Sequence, residues 1–128
     1  MGRYVDGYVL LVKKKRINDY KKMAEMGAKI WKKHGALDYY ECVGDDLNPN
    51  MPGMKQLGFN RMAKARPDEA VFFSFIVYKS RAHRDAVNKK VMKEMGSSPD
   101  MADICDPKNP PFDMKKFAYG GFKALVQR

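Results

Sequence analysis

The chain has 128 residues, 45% hydrophobic and 31% charged, the balance of one globular domain rather than a disordered protein. Its 25 lysines and arginines against 15 acidic residues give a formal charge of +10. Such a charge raises the expectation of acidic partners such as nucleic acid, with a well-solvated Lys-rich surface as the plainer reading. Cys42 and Cys105 form no Cys-x-x-Cys unit, so no zinc site is expected, and whether the two pair is open at this level. No signal-like segment opens the chain, and no apolar run nears the roughly 18 residues of a membrane span. The expectation is a cytoplasmic protein with reduced thiols and no membrane partner.

In chain order, Tyr4 to Val12 reads as a strand that is largely apolar on both faces, with Tyr4, Asp6, Tyr8, Leu10 and Val12 sharing one of them. Lys13-Lys14-Lys15-Arg16 follows as a basic turn without the interleaved aromatics of a nucleic-acid platform. Arg16 to His34 has helical spacing, its inner stripe running through Ile17, Tyr20, Met23 or Ala24, Gly27 or Ala28, Trp31 and His34. Gly35 is the stop. Ala36 to Val43 is the second strand, with Tyr39 and Glu41 on one face and Tyr40 and Cys42 on the other. Asp45 to Gly58 is a loop by its prolines and glycines, and Phe59 to Ala65 is expected as a short extra strand.

After the turn at Arg66 to Glu69, Ala70 to Tyr78 is an unbroken apolar run rich in aromatic and β-branched residues, the pattern of a strand buried on both faces. Ser80 caps a helix to Met95 whose inner stripe is Ala82 or His83, Ala86 or Val87, Val91 and Met95. Ser98 and Pro99 suit a single helical turn over Asp100 to Ile104, and the prolines of Asp106 to Asp113 make a surface loop. Lys115 to Val126 is the last strand, with Gly120-Gly121 marking a bulge or a close approach.

The order is β-α-β-(β)-β-α-β, an α+β fold of the ferredoxin-like split βαβ type: one antiparallel sheet with two main helices on one face. Two helices cover one face only, whereas the Tyr4 and Val71 strands are apolar on both. A second copy packed sheet to sheet is the economical cover, so a homodimer through the helix-free face is expected.

Five segments carry a family resemblance: Tyr4-Val-Asp-Gly-Tyr-Val-Leu10, Trp31 to Cys42, Phe75 to Asp85, Pro111 to Met114, and Tyr119 to Lys123. Together they resemble the YbaA-like family of uncharacterised bacterial proteins, within the dimeric α+β barrel superfamily. The resemblance spans nearly the whole chain and implies a single ferredoxin-like domain whose dimer closes its sheets into a barrel. It implies little about activity, because the family has no established one. The wider superfamily includes cofactor-independent monooxygenases and haem-degrading enzymes, and its usual small-molecule site lies between helices and sheet, an analogy that carries no reaction across. The haem-degrading branch resembles an Asn-Trp-His arrangement, but here Asp6 replaces Asn and the Val71 strand has no Trp, so haem chemistry is not expected.

Helix-to-sheet packing would gather Tyr8, Trp31, His34, Tyr39, Glu41, Tyr78, His83 and Tyr119 as ligand-pocket candidates. His83 is the candidate catalytic base, since the first turn of a helix favours the neutral imidazole that accepts a proton. Its plainer role is a hydrogen bond within the turn that starts its helix. Likewise His34 reads first as a helix cap, Trp31 as core and Glu41 as the partner of Arg81 or Arg84. No phosphate loop, His-Glu-x-x-His or nucleophile elbow occurs, so no cofactor is expected. The leading function is a protein that binds or transforms a small apolar or aromatic molecule in a monooxygenase-like, cofactor-independent way. The alternatives are a basic nucleic-acid-binding module and a structural or stress-associated dimer without ligand.

Overall fold

Two ten-residue strands, β1 (Tyr4–Lys13) and β3 (Glu69–Tyr78), lie side by side at the middle of the computed structural model, which describes residues 2–97 and 108–128. They pair antiparallel over their whole length, from Tyr4 opposite Tyr78 to Lys13 opposite Glu69. The shorter strands β2 (Asp38–Val43) and β4 (Ala118–Lys123) add to the outside, giving an antiparallel sheet in the order β2-β3-β1-β4. The unbroken apolar runs thus occupy the central strands, where both faces must be covered. Between strands run the long helices α1 (Ile17–Lys33) and α3 (Arg81–Ser97) and a single short turn of helix, α2 (Phe59–Met62).

Local chemistry sets the helix ends. The Ser80 side chain accepts the His83 backbone N–H at 3.1 Å, the N-cap expected at the start of α3. At the end of α1, Gly35 takes a φ of +112°, where a side chain would be strained. The buried stripe of α1 is Tyr20, Ala24, Gly27 and Ile30. Ile30 had no place in the sequence reading, and Trp31 is only partly buried at the edge of the stripe. On α3, Val87 and Val91 are the buried pair.

The core divides in two. Tyr4, Ile30, Ala36, Ile76, Tyr78, Val87 and Val91 form one cluster, and Leu10, Val12, Tyr20, Ala24 and Phe72 the other. Tyr8 packs against both.

Several boundaries differ from expectation. Phe59 to Ala65 is no strand: Met62 and Ala63 donate back to Gly58 and Phe59 as α2, after which Lys64 turns to φ 56°. Its Met, Ala, Lys and Arg residues favour helix over strand, and among the described residues no strand pairs with the outer edge of β2. The second strand begins at Asp38 rather than Ala36. The last begins at Ala118, behind a tight 3-10 turn at Met114–Lys116 that Asp113 caps through the Lys115 N–H at 3.0 Å. Gly120-Gly121 makes no bulge, since β1 and β4 pair one for one from Tyr4–Lys123 to Val9–Ala118. Gly121 is instead a close approach, because a Cβ there would overlap the Tyr4 ring and hydroxyl. The expected turn at Asp100 to Ile104 and Cys105 lie outside the described residues.

One face of the sheet is left bare over much of its area by the described residues, although Leu11 and Val71 at its end are buried. Tyr40, Phe73 and Phe122 stand on the side away from α1 and α3, 53%, 45% and 62% exposed. Tyr40 stacks on Phe75 at 5.0 Å, and Phe59 of α2 meets Phe73 edge-on at 6.0 Å, so the aromatic surface runs on past the sheet. Cys42 is free and exposed on the same side.

Candidate functional site

On the helix side, period-2 alternation places Tyr39 and Glu41 of β2 beside each other, and the β2–β3 register sets Glu41 opposite Ser74. Tyr20 reaches the same point from α1. Its hydroxyl donates to Glu41 Oε1 at 2.7 Å, Tyr39 donates to Oε2 at 2.8 Å, and Ser74 Oγ donates to Oε1 as well. The carboxylate therefore accepts from three neutral hydroxyls and, among the described residues, pairs with no basic one, contrary to the expected pairing with Arg81 or Arg84. Burial, and after it the charge of Glu41, pushes the Tyr20 and Tyr39 hydroxyls above the ordinary phenol range, which keeps both as donors.

This knot forms the polar floor of a cavity of about 240 Å³ between the sheet and the two long helices. Leu10 and Ile76 line it from the sheet, Met23, Ala24 and Gly27 from α1, and Met95 from α3. The rings of Tyr8, Trp31, Phe112 and Phe117 join Tyr20 and Tyr39 around it. The segment carrying Phe112 is tied down where Arg16 Nη1 donates to the Asn109 and Pro110 carbonyls at 3.2 and 3.0 Å. One residue of the basic run Lys13 to Arg16 is thus a structural clamp.

Two supports orient the walls. Trp31 Nε1–H donates to Asn88 Oδ1 at 3.0 Å, and the Tyr78 hydroxyl donates to the same oxygen at 3.3 Å, which locks the indole between α1, α3 and β3. Tyr8 stacks on Tyr119 with centroids 4.8 Å apart. The Tyr8 hydroxyl makes no hydrogen bond among the described residues, and burial, with Asp6 next, raises it above the phenol range.

Behind Tyr119 lies a second polar cluster. Asp6, completely buried, accepts from Arg84 Nη1 at 2.7 Å and from the Tyr119 hydroxyl at 3.1 Å. The Arg84 guanidinium also lies 5.1 Å from the centre of the Tyr4 ring and bonds Asp85 at 2.7 Å. Every group here is paired within the protein, so the cluster anchors α3 to the sheet.

Of the residues singled out from sequence, Tyr8, Trp31, Tyr39 and Glu41 line the cavity, while Tyr78 and Tyr119 stand one layer behind it. The two histidines do not join them. His83 Nδ1 accepts the Lys79 backbone N–H at 3.0 Å and its ring stands edge-on to Tyr78, so it fastens the start of α3. The His34 backbone caps α1, but its side chain bonds Glu94 of α3 at 2.7 Å instead of a free carbonyl. Tyr20, Ser74, Asn88 and the Asp6–Arg84 pair were missed. The available signals were Ser74, the one small polar residue in an apolar strand, and Asp6, an acid on a buried strand face. Among the described residues no group of three or more His, Cys, Asp or Glu is placed to hold a metal ion. No helix among them is long and apolar enough to cross a membrane.

Comparison with known proteins adds fold and family. A solved ferredoxin-like protein from an uncultured marine organism, described as dimeric, superposes with a TM-score of 0.59 at 11% identity, each chain fully covered. Uncharacterized protein YbaA of Escherichia coli K12 is 37% identical over 124 residues, 97% of this chain and 97% of that one. YbaA of Shigella flexneri matches to the same extent. With residues 3–114 also matching the family profile, this chain belongs to DUF1428, a protein family of unknown function.

Proposed function

We propose that this protein binds a small, largely apolar organic molecule in the cavity between helices and sheet, and that it does so as a homodimer joined through the bare sheet face. The observation that carries the binding reading is a preformed apolar cavity with a single convergent polar floor, Glu41 held by Tyr20, Tyr39 and Ser74. A floor of this kind orients a ligand, while the rings supply contact area. The volume of about 240 Å³ lies below the roughly 300–1,000 Å³ of drug-sized sites, so the occupant is small, of the order of one ring. Glu41 rather than His83 is the polar anchor, because His83 is outside the cavity lining and its Nδ1 is already engaged.

The dimer reading rests on Tyr40, Phe73 and Phe122, three large exposed aromatics on one sheet face, and the dimeric description of the marine neighbour agrees with it. Saturation-transfer NMR with a library of single-ring compounds tests the binding reading. Ala24→Leu, which adds bulk to the cavity wall from α1 and leaves the residues of the polar floor unaltered, abolishes the transfer. Transfer that persists undiminished in Ala24→Leu places the ligand elsewhere and overturns the assignment.

A further inference from the structure

The cavity has a charge as well as a shape. Its lining holds one carboxylate, Glu41, and no lysine, arginine or histidine among the described residues. The three hydroxyls on Glu41 are neutral, so they satisfy its hydrogen bonding and leave its charge without a counterion. Glu41 also borders a groove between α1 and β2 that contains Lys21, but that ammonium is solvent-exposed and lies 4.0 Å from Glu25, and no ion pair joins it to Glu41 among the described residues. A partly buried negative charge with no cation beside it is unfavourable until a cation arrives. Around it stand six rings, Tyr8, Tyr20, Trp31, Tyr39, Phe112 and Phe117, whose π faces attract positive charge. The Tyr8 hydroxyl in the same lining makes no hydrogen bond among the described residues, so it can accept one from a donor that Glu41 does not use.

Carboxylate floor, aromatic walls and no basic group together disfavour an anion and favour one class of ligand. The geometry points to an organic ammonium, a small amine on an aromatic or alkyl body, with its charged nitrogen at Glu41 and its apolar part against the rings. This deepens the small-molecule reading above and rests on it. The protein's own charge of +10 works against such a ligand at long range, so selectivity for a cation cannot come from the overall field and must come from the cavity.

The test is calorimetric titration of the full-length protein with three compounds of matched shape: 2-phenylethylammonium, 2-phenylethanol and 3-phenylpropionate. The ammonium is expected to bind about tenfold or more tightly than the alcohol, with the carboxylate weakest. In Glu41→Gln, which keeps an acceptor for the hydroxyls, the gap between ammonium and alcohol collapses. Equal or tighter binding of the alcohol or the carboxylate by the unaltered protein overturns the charge inference while leaving the cavity as a neutral-ligand site. This arm needs no variant to fold. A cation preference that survives Glu41→Gln overturns the role given to Glu41. Silence from all three removes this inference, whereas the library screen with Ala24→Leu judges the broader reading separately.

Discussion

Replacing Arg84 with methionine keeps most of the side-chain volume and removes the one cation paired with Asp6 among the described residues. Asp6 is completely buried and the Arg84 side chain is 13% exposed, so the pair counts as buried. After the change, Asp6 keeps one side-chain donor among the described residues, the Tyr119 hydroxyl at 3.1 Å. Stranding one member of a buried pair costs about 3–5 kcal/mol. The second partner of Arg84, Asp85, is 61% exposed and adds little, under about 1 kcal/mol. With an unfolding entropy of about 2.1 cal/mol/K per residue over 128 residues, the loss lowers Tm by about 11–19 °C. Thermal and urea melts followed by circular dichroism measure it, at one fixed protein concentration because the proposed dimer would contribute to apparent stability. The double variant Asp6→Asn/Arg84→Met removes both charges and recovers at least half of the loss. A single-variant cost under about 1 kcal/mol, or a double variant worse than the single, would refute the reading of this cluster as a charge pair locked into the core.

Other consequences follow from single groups. Phe73→Glu puts a charge in the middle of the bare face, and sedimentation at micromolar concentration then gives a monomer where the unaltered protein gives a dimer. Burial raises Tyr8, Tyr20, Tyr39, Tyr78 and Tyr119 above the phenol range, so they stay protonated in the folded state when an unfolded chain ionises near pH 10. Stability is therefore full below pH 10 and falls as pH rises beyond it, and tyrosinate absorbance of the folded protein lags until unfolding releases it. Hydrogen bonds from Lys33 and His34 hold Glu94 below the ordinary glutamate value of 4.5, so its contribution is present above that pH and lost as pH falls further. Glu94→Gln flattens this acid limb in pH-dependent melts.

What could be read from the sequence was whatever depends on near neighbours or on periodicity. Ser80 caps α3 because the cap reaches only three residues ahead, and the doubly apolar Ala70–Tyr78 run is central because burial on both faces erases alternation. Tyr8, Trp31, Tyr39 and Glu41 were placed together because the three strand residues lie on the helix-facing side of the sheet and Trp31 falls on the inner stripe of its helix. The partners of Glu41 were not readable, because they depend on a register: Ser74 lies opposite it only once β2 and β3 are aligned, and Tyr20 arrives from a helix 21 positions away. The same holds for Asp6 and Arg84, 78 positions apart, where the acid on a buried face signalled the need for a cation without naming it. Phe59 to Ala65 misled because so short a run with few apolar residues cannot distinguish a short strand from one turn of helix.

Trp31 is the only tryptophan in the chain, and it lines the cavity with its indole fixed by Asn88. Its fluorescence therefore reports occupancy of the proposed site directly. Titration with 2-phenylethylammonium is expected to shift or quench the emission saturably, with the effect lost in Ala24→Leu. Emission that stays unchanged while calorimetry records binding would contradict the assignment of this cavity as the ligand site.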